Sequence, residues 1–420
     1  MTRMSVRSLI EDERCLPVEQ LALIRKIAAE AESLGKPLYL AGGFPRDLLL
    51  KRPINDFDLA LEGDAVDFGR GLQKKFGGKI VIHSRFGTAS WTPSDMVGGI
   101  DHFDLITARS ESYSSPGELP DVIPSNIEAD LRRRDFSINA MAIQLDGDRF
   151  GELIDPLNGR ADLENGIIQV LHPRSFIEDP TRIFRALRYE FRYQFTLQSS
   201  TLELINPESL GVLSKLSGER IRHELDLIFD EDLSLQMIRR AGELGLFRWI
   251  HPELPYFNEN YADFLEMDDS LDIPADKRMM GYILWFMDSS EQAILSMASR
   301  LDFSSDLTHA VWGAAQLKKS LPFLIDSKPS VWTFALEKLP LLSIYAVYLI
   351  TGIGPLLSFI SLWRHVRAHT TGDDLKKRAV PPGPRYGEIL HSLRSAWLDG
   401  EIQNDIQEQE LLAKLLADGR

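Results

Sequence analysis

Short apolar runs separated by polar segments characterise the first 150 positions of the chain. We predict strands at four of these runs, 37–41, 57–61, 79–83 and 103–108, because their length and apolar content are typical of strands. The first run stops at Gly42-Gly43, as a strand does when it enters a tight turn, and a helix is predicted at 46–50. An earlier helix is predicted at 18–34 from helical spacing of apolar residues.

Helical periodicity dominates from about residue 162 nearly to the end of the chain. Residues 182–192 and 225–244 both repeat apolar and basic positions at helical spacing. Strands followed by helices indicate the α+β class. We therefore predict an N-terminal α/β head with a mixed β-sheet, followed by an all-helical remainder.

One apolar segment, 339–363, is long enough to span a membrane. Gly352, Gly354 and Pro355 interrupt it. Because Gly and Pro together end helices, we predict two short buried helices with a turn between them and no association with a membrane.

The net charge and the cysteine content exclude some classes of protein and some kinds of site. A net charge of −15 argues against a protein that coats nucleic acid over its whole surface, although it leaves room for a local basic groove. The single cysteine, Cys15, excludes a disulfide framework and a cysteine-based zinc site. Since residues 1–17 contain no apolar signal segment, we predict a cytoplasmic protein.

The first candidate site combines Gly42-Gly43, Arg46 and the Asp56-Phe57-Asp58 stretch. Glycines let the backbone approach a phosphate, and a helix N-terminus beyond them directs N–H groups at an anion, where Arg46 can clamp a triphosphate oxygen. Asp56 and Asp58 share one face of a strand, and two carboxylates on one face suit Mg²⁺. Such metals can activate a 3′-hydroxyl and steady a leaving pyrophosphate.

The second candidate is the stretch 130–141, in which Asp130 and Asp135 flank three consecutive arginines and an apolar run follows. Arginine runs usually lie on a solvated face. Here the flanking acids and the apolar run predict that some of these charges are held near a buried surface, where they suit a phosphate or a 3′-terminal ribose.

The third candidate contains Asp179, Arg182, Arg185 and Arg188 at steps of three residues. If Pro180 lies in the first turn of a helix, these four side chains share one face. An aspartate and an arginine side by side offer an acceptor and a donor to a base edge, and further arginines can hold phosphates. In isolation, the pattern fits an amphipathic surface helix with internal ion pairs equally well.

Together these stretches resemble the motifs of the class II tRNA nucleotidyltransferase and bacterial poly(A) polymerase family, within the polymerase-β-like superfamily. Residues 40–47 with 56–58 resemble its metal and triphosphate motif, and 133–140 its ribose-associated motif. Residues 178–182 resemble the motif that selects the incoming base without a nucleic-acid template, and 218–225 a neck motif. The similarity extends from about residue 36 to 260 and weakens afterwards.

The resemblance implies an enzyme that adds C and/or A residues from CTP or ATP to the 3′ end of tRNA and releases pyrophosphate. It implies that Asp56 and Asp58 are catalytic and bind Mg²⁺. It implies nucleotide contacts for seven residues: Gly43, Arg46, Arg134, Asp179, Arg182, Arg185 and Arg188. It also implies three domains: a nucleotidyltransferase head (1–155), a helical neck for nucleotide selection (156–230) and a helical body and tail that bind tRNA (231–420). The partners are then tRNA, ATP and CTP, with no obligate protein partner evident.

Several alternatives stay open on the sequence. A bacterial poly(A) polymerase acts on general RNA, and the acidic stretch from Glu401 onwards favours tRNA over that substrate. A non-catalytic RNA-binding protein on the same fold is disfavoured because both aspartates are present, and transfer to a small molecule because the helical remainder is long. Asp104 is a candidate third carboxylate. Whether C, CC, CCA or only A is added depends in this family on a mobile loop, which we place at 109–126.

Overall fold

A computed structural model of the chain describes residues 5–83, 87–94, 99–258, 260–261, 271–273 and 276–417. It divides into two compact units, Met1–Leu216 and Ser217–Arg420. Within the described residues, every strand lies in the first unit and the second is helical, which confirms the predicted α+β class. The division after Leu216 falls inside the predicted neck, and the limits of the three predicted domains stay a prediction.

The strands of the first unit belong to one large sheet and two small ones. In chain order they are β1 (Leu38–Ala41), β2 (Asp58–Leu61), β3 (Lys79–His83), β4 (Thr88–Thr92), β5 (Phe103–Thr107), β6 (Arg109–Ser112), β7 (Asp121–Pro124), β8 (Ala142–Gln144), β9 (Leu153–Ile154), β10 (Ile167–Ile168) and β11 (Thr196–Leu197). The large sheet is seven-stranded, with the order β3-β4-β5-β2-β1-β8-β9. Only β2 and β5 pair in parallel within it, and their register places Asp58 of β2 beside Asp104 of β5.

Helices cover this sheet and supply much of its core. They are α1 (Val6–Ile10), α2 (Val18–Ser33), α3 (Gly43–Leu50), α4 (Ala65–Phe76), α5 (Ile127–Arg132), α6 (Gly159–Asn165), α7 (Ser175–Glu178), α8 (Thr181–Tyr193), α9 (Ser199–Glu203) and α10 (Pro207–Leu213). Leu40, Leu59 and Leu105 of the sheet pack in one apolar cluster with Ile24 of α2 and Phe68 of α4. This core holds in place the ends of β1 and β2, next to which the candidate residues lie.

The four predicted strands are confirmed to within one residue at each end, and the helix predicted at 46–50 begins earlier, at Gly43. The sequence did not predict β4. Its buried residues Ala89 and Trp91 alternate with Thr and Ser, so it has too few apolar positions to form a run.

The second unit contains only helices among its described residues. They are α11 (Gly218–Phe229), α12 (Ser234–Glu243), α13 (Phe247–Ile250), α14 (Lys277–Phe286), α15 (Glu291–Arg300), α16 (Ser305–Leu324), α17 (Pro329–Leu336), α18 (Leu341–Thr351), α19 (Gly354–Ser361), α20 (Gly372–Lys377), α21 (Pro384–Leu398) and α22 (Asp405–Ala417). The helical spacing at 225–244 is divided between two helices, since α11 ends at Phe229 and α12 starts at Ser234. The acidic run Asp230-Glu231-Asp232 separates them, and negative charge is unfavourable at a helix C-terminus.

The long apolar segment forms α18 and α19, which confirms the prediction of two short helices. Gly352 ends α18 in the left-handed region at φ +66°, and Pro355 lies in the first turn of α19. In the part of the chain that the structure describes, no helix is long and apolar enough to cross a membrane.

Candidate active site

A glycine turn connects β1 to α3 and has room for no other residue type. Gly42 has φ +71°, and a Cβ there would lie 2.7 Å from Asp58 Oδ2 and 3.0 Å from Arg134 Nη1. At Gly43, the first residue of α3, a Cβ would lie 3.0 Å from Arg46 Nη2. Both the backbone conformation and the close approach of charged groups therefore require glycine at position 42.

The two predicted metal ligands flank a buried phenylalanine. Phe57 packs edge-on against Phe44 and Phe103, with ring centroids 5.6 and 5.5 Å apart. Asp58 opens β2 and is half-buried, whereas Asp56 precedes the strand and is exposed. Burial raises the pKa of Asp58 to about 6, the nearby carboxylates add to the rise, and Arg134 opposes it. Asp58 thus lies near several carboxylates, and the charge of Arg134 partly offsets theirs.

Asp104 is the neighbour of Asp58 on the parallel strand β5. Its carboxylate accepts a hydrogen bond from Ser90 Oγ at 2.5 Å and lies 3.5 Å from His102 Nε2. Among the described residues, however, no three His, Cys, Asp or Glu side chains converge in a group that could hold a metal ion. A role for Asp104 as a third carboxylate stays a prediction.

Arg46 is buried and its guanidinium group is held from several sides. It donates to both oxygens of Asp47, at 2.9 and 2.8 Å, and to Asn139 Oδ1 at 2.6 Å. The rings of Tyr189 and Tyr193 lie 5.4 and 4.9 Å from its Cζ. The sequence predicts that Arg46 contacts the triphosphate. In the structure, hydrogen bonds and aromatic rings already fix the position of its guanidinium group.

Asp130 anchors two of the three consecutive arginines. Its fully buried carboxylate accepts hydrogen bonds from Arg133 at 2.7 Å and from Arg134 at 2.9 Å. Burial alone would raise the pKa of Asp130, but the two guanidinium groups hold it below its usual value. This confirms that some of the arginine charges lie near a buried surface, while Arg132 is exposed.

Asp135 forms a second buried ion pair, with α8. It accepts from Arg185 Nε at 2.8 Å and from Asn139 Nδ2 at 2.9 Å. Burial raises the pKa of Asp135, but Arg185 and the hydrogen bond from Asn139 outweigh burial and lower it to about 2. Asn139 also accepts from Arg46, so it links the residue after the glycine turn to the helix that carries the third motif.

The four residues of the third motif do not share one environment. Asp179 lies before α8 and accepts from Thr181 N and Oγ1, at 3.1 and 2.7 Å, so that it caps the helix next to Pro180. Arg182 is buried, whereas Arg185 and Arg188 are half-buried. The predicted common face does not include Asp179, which lies outside the helix, whereas Arg182, Arg185 and Arg188 follow one another at steps of three in α8.

A β-hairpin occupies the segment that the sequence predicts as a mobile loop. Strands β6 and β7 pair over Arg109–Ser112 and Asp121–Pro124, and Gly117 N in the connection donates to Glu178 O at 3.1 Å. The Glu111 carboxylate in β6 binds Arg109 at 3.0 Å and Arg133 at 2.8 Å. The strands carry too few apolar residues for the sequence to predict them. Their backbones pair with each other, and the ion pair between Glu111 and Arg133 joins β6 to the arginine run.

Comparison with known proteins shows which family the chain resembles over most of its length. Two family models match the chain: the poly A polymerase head domain over residues 38–169, and the probable RNA and SrmB-binding site of polymerase A over residues 194–257. A CCA-adding enzyme of Lactobacillus delbrueckii subsp. bulgaricus is 34% identical, over 93% of this chain and 96% of the relative. The chain belongs to the class II tRNA nucleotidyltransferase and poly(A) polymerase family.

Other members of the family are similar over nearly the whole chain. An A-adding tRNA nucleotidyltransferase of Geobacter sulfurreducens is 33% identical over 96% of this chain, which spans 48% of that relative's length. The structure of the Thermotoga maritima CCA-adding enzyme complexed with tRNA matches with a TM-score of 0.76 at 26% identity, over 99% of each chain. The chain thus spans about half the length of the A-adding relative.

The predicted site residues fall in two places relative to the family models. Five lie inside the head-domain match: Gly43, Arg46, Asp56, Asp58 and Arg134. The other four lie between the two matched regions: Asp179, Arg182, Arg185 and Arg188. Members of this superfamily are typically metal-dependent nucleotidyltransferases.

Several residues hold the predicted arginines in place, and the sequence indicates such a role only for Asp130 and Asp135, which flank the arginine run. Glu111, Tyr113, Asp130, Asp135 and Ser175 all contact one of the predicted nucleotide-binding arginines or its backbone neighbour. For Asp130 a signal existed, because it precedes Arg133 and Arg134 by three and four residues, the spacing of helical ion pairs. The other four contacts join residues that are distant in the sequence or lie on different elements.

Proposed function

We propose that this protein is a template-independent nucleotidyltransferase that adds C and/or A residues from CTP and ATP to the 3′ end of tRNA with release of pyrophosphate. The observation that carries the proposal is the approach of Asp58 to the glycine turn. A Cβ at Gly42 would lie 2.7 Å from the Asp58 carboxylate, so the carboxylate lies directly beside the turn that precedes α3. A phosphate at a helix N-terminus and a cation on a carboxylate would then be neighbours.

The residues at this point fit Mg²⁺. The raised pKa of Asp58, which comes from burial and from the carboxylates of Asp104 and Asp56, shows negative charge that a bound cation would compensate. Mg²⁺ is commonly held by one or two carboxylates together with substrate phosphates and water, so two aspartates suffice. Asp56 and Asp58 would hold it. When bound, the ion would supply charge stabilisation for the attacking and leaving oxygens.

The transfer itself asks mainly for positioning and charge neutralisation. The 3′-hydroxyl oxygen bonds to the α-phosphorus, the bond to the β-phosphate oxygen breaks, and pyrophosphate leaves while the hydroxyl gives up its proton. We assign Gly43, Arg46 and Arg134 to the phosphates and ribose of the incoming nucleotide. Because Asp47 and Asn139 hold Arg46, and Asp130 holds Arg134, little side-chain freedom is lost when the nucleotide binds.

We assign base selection to Asp179 and Arg182, with Arg185 and Arg188 as further contacts to the nucleotide. Adenine and cytosine both present a ring-nitrogen acceptor beside an exocyclic amino donor, whereas guanine and uracil present an N–H donor beside a carbonyl acceptor. An arginine donor and an aspartate acceptor that both reach one base edge match the first pattern and not the second. This pairing accounts for a preference for ATP and CTP without a nucleic-acid template.

tRNA is the proposed acceptor, bound by the helical region beyond the head. The Thermotoga maritima relative, whose structure contains tRNA, matches this chain over 99% of its length and supports that assignment. Addition of only the terminal A is supported by A-adding relatives, one of them 43% identical over 55% of this chain. CC-adding and CCA-adding relatives also match, so the product is the point to test.

The test supplies purified protein and Mg²⁺ with tRNA transcripts that lack A, CA or CCA, and with each nucleotide separately. We expect ATP to extend the transcript that lacks only A. CTP incorporation into the transcript that lacks CCA would assign addition of the whole end rather than of A alone. An unstructured RNA is the comparison substrate. Extension of that RNA as efficiently as of tRNA would favour a poly(A) polymerase, and no extension of any substrate would contradict the proposal.

A further inference from the structure

Arg182, the proposed donor in base selection, is held by three different segments of the first unit. Its Nη1 donates to Ser175 Oγ at 2.8 Å, and its Nη2 donates to the Arg133 carbonyl at 3.1 Å and to the Tyr113 hydroxyl at 3.3 Å. The guanidinium group is thereby fixed at both terminal nitrogens. Two fixed points determine the direction in which the remaining N–H groups of the plane are presented.

Counting donors shows what these contacts leave for a ligand. A guanidinium group has five N–H donors. Within the described residues, the three contacts use both hydrogens of Nη2 and one of Nη1, and leave Nε–H and the second hydrogen of Nη1. The contact with Ser175 therefore decides which Nη1 hydrogen remains and where it points.

Ser175 also holds the other member of the pair. Its backbone carbonyl accepts from Asp179 N at 3.1 Å, while its hydroxyl binds Arg182. The residue is fully buried at the start of α7, where it is shielded from exchange with water. One side chain and its own backbone thus set the relative placement of the proposed acceptor and the proposed donor.

We propose that Ser175 is a specificity-determining positioning residue, whose hydroxyl orients Arg182 so that adenine and cytosine are accepted and guanine and uracil are rejected. The inference rests on the proposed function, and it names a residue that does not itself touch the nucleotide. Without the hydroxyl, the guanidinium plane can turn or admit water, so a wrong base edge finds a donor or acceptor that the wild-type geometry withholds.

The experiment compares S175A and S175C with two controls. S175C keeps the size of the buried side chain and replaces the hydroxyl by a weak acceptor, so it separates orientation from cavity formation. S209A removes another fully buried, hydrogen-bonded serine of the same unit, which contacts Leu204 and Asn206 instead of Arg182. Y113F removes the longer and half-buried contact to Arg182. For each variant, kcat and KM are measured with all four nucleotides, together with the melting temperature.

We expect S175A and S175C to lower the preference for ATP and CTP over UTP and GTP by about tenfold to a hundredfold, the effect of one lost hydrogen bond to a charged group. Y113F should lower it less, and S209A should lose stability with the preference intact. If the Ser175 variants lose activity with all four nucleotides in equal proportion, as S209A would, Ser175 is structural and the inference is overturned. A wild-type enzyme without any preference for ATP or CTP would instead overturn the proposed function, and this inference with it.

Discussion

At the scale of single residues, Asp56 and Asp58 occupy different environments although they are proposed to do the same work. Asp58 is half-buried beside Arg134 with a raised pKa, and Asp56 is exposed just before the strand. We expect D56N and D58N each to reduce nucleotide addition by about a thousandfold or more, because each removes one charged oxygen ligand of the cation. Single-turnover incorporation of ATP at saturating Mg²⁺ measures the loss.

Asparagine keeps the volume of aspartate, so neither variant should unfold the head. For D58N the melting temperature without Mg²⁺ should stay the same or rise, because a partly buried charge is removed. The matched control is D148N, at an exposed aspartate far along the chain from the proposed ligands. Near-normal activity of D56N or D58N in Mg²⁺ would contradict the assignment of these two residues.

Asp179 contacts the start of α8 and is also proposed to select the base. A suitable substitution separates these two roles. Its carboxylate caps α8 by accepting from Thr181 N and Oγ1. D179N keeps an acceptor oxygen for this cap but places an amide donor where the base requires an acceptor. We expect selectivity against UTP and GTP to relax by about tenfold to a hundredfold, the range of one lost base-edge pairing.

The measurement for D179N is the ratio of incorporation of each nucleotide, taken alongside the melting temperature. D179A serves as the comparison, because it removes the cap too and should cost about 1 kcal/mol of additional stability. An unchanged ratio in both variants, accompanied by lower melting temperatures, would show that Asp179 only caps the helix.

Asp135 should make the stability of the fold depend on pH. Its pKa is lowered to about 2 in the folded protein, below the usual value of 3.8. A depressed pKa stabilises the fold at pH values above the unfolded pKa, and this stabilisation is lost as the pH falls through 4 towards 2. By linkage, the contribution is about 2 kcal/mol at pH 7. We expect D135N to be destabilised by about this amount at pH 7 and at pH 5, with the difference from wild type shrinking below pH 4.

Denaturant unfolding of wild type and D135N across this pH range measures that difference, with D148N as a control at an exposed site. A gap between wild type and D135N that stays constant from pH 7 to pH 3 would show that the Asp135 charge contributes nothing to stability.

At the scale of elements, the turn between β1 and α3 is the most constrained connection in the site. Gly42 has both a positive φ of 71° and charged groups within 3.0 Å of the position that a Cβ would take. G42A should therefore displace Asp58 or Arg134, which reduces activity by about a hundredfold or more, since small misplacements of reacting groups are costly.

Gly35 provides a matched control for this turn. Its φ of +63° is similar, but nothing lies within 4 Å of a Cβ built there. G35A should lose about 1–2 kcal/mol from backbone strain alone and keep its activity. If G42A and G35A lose the same stability and both stay active, the close approach at Gly42 has no functional consequence.

Some elements of the fold can be predicted from the sequence and others cannot. Strands such as β1, β2 and β5 follow from short apolar runs, because their residues are buried in the large sheet. The hairpin of β6 and β7 does not follow, because its strands have no continuous apolar run, and Glu111 joins β6 to the arginine run through an ion pair with Arg133. Local hydrophobicity carries no information about a contact between residues that are distant in the sequence.

The candidate site also has some features that the sequence predicts and others that it does not. Asp56, Asp58 and the glycine turn can be predicted because their spacing along one strand and one turn has a direct chemical meaning. The alignment of Asp58 with Asp104 cannot, because it depends on the parallel pairing of β2 and β5. Nor can the contact between Ser175 and Arg182, since both are on short, adjacent helices whose relative orientation is set by packing.

At the scale of the whole molecule, charge poses the main question, since a chain with a net charge of −15 is proposed to bind a polyanion. Binding must then come from local groups of basic residues and must weaken as salt rises. In the second unit, Lys376 and Lys377 at the end of α20 are exposed, and Lys377 is paired with Asp374 at 3.2 Å. They lie in the helical region that we propose to contact tRNA.

The double variant K376A/K377A tests this assignment in the full-length chain. We expect it to weaken tRNA binding and to lower the slope of log K against log salt by about 1 to 2, because each phosphate contact releases condensed counterions. The matched control is K74A/K75A on α4 of the first unit, where both lysines are exposed and Lys75 is likewise paired with a carboxylate, that of Glu30. Filter binding of tRNA at four salt concentrations gives both slopes.

Equal slopes for the two double variants would show that Lys376 and Lys377 belong to an ordinary solvated surface. A reduced slope for K74A/K75A alone would instead assign the proposed tRNA contact to the head.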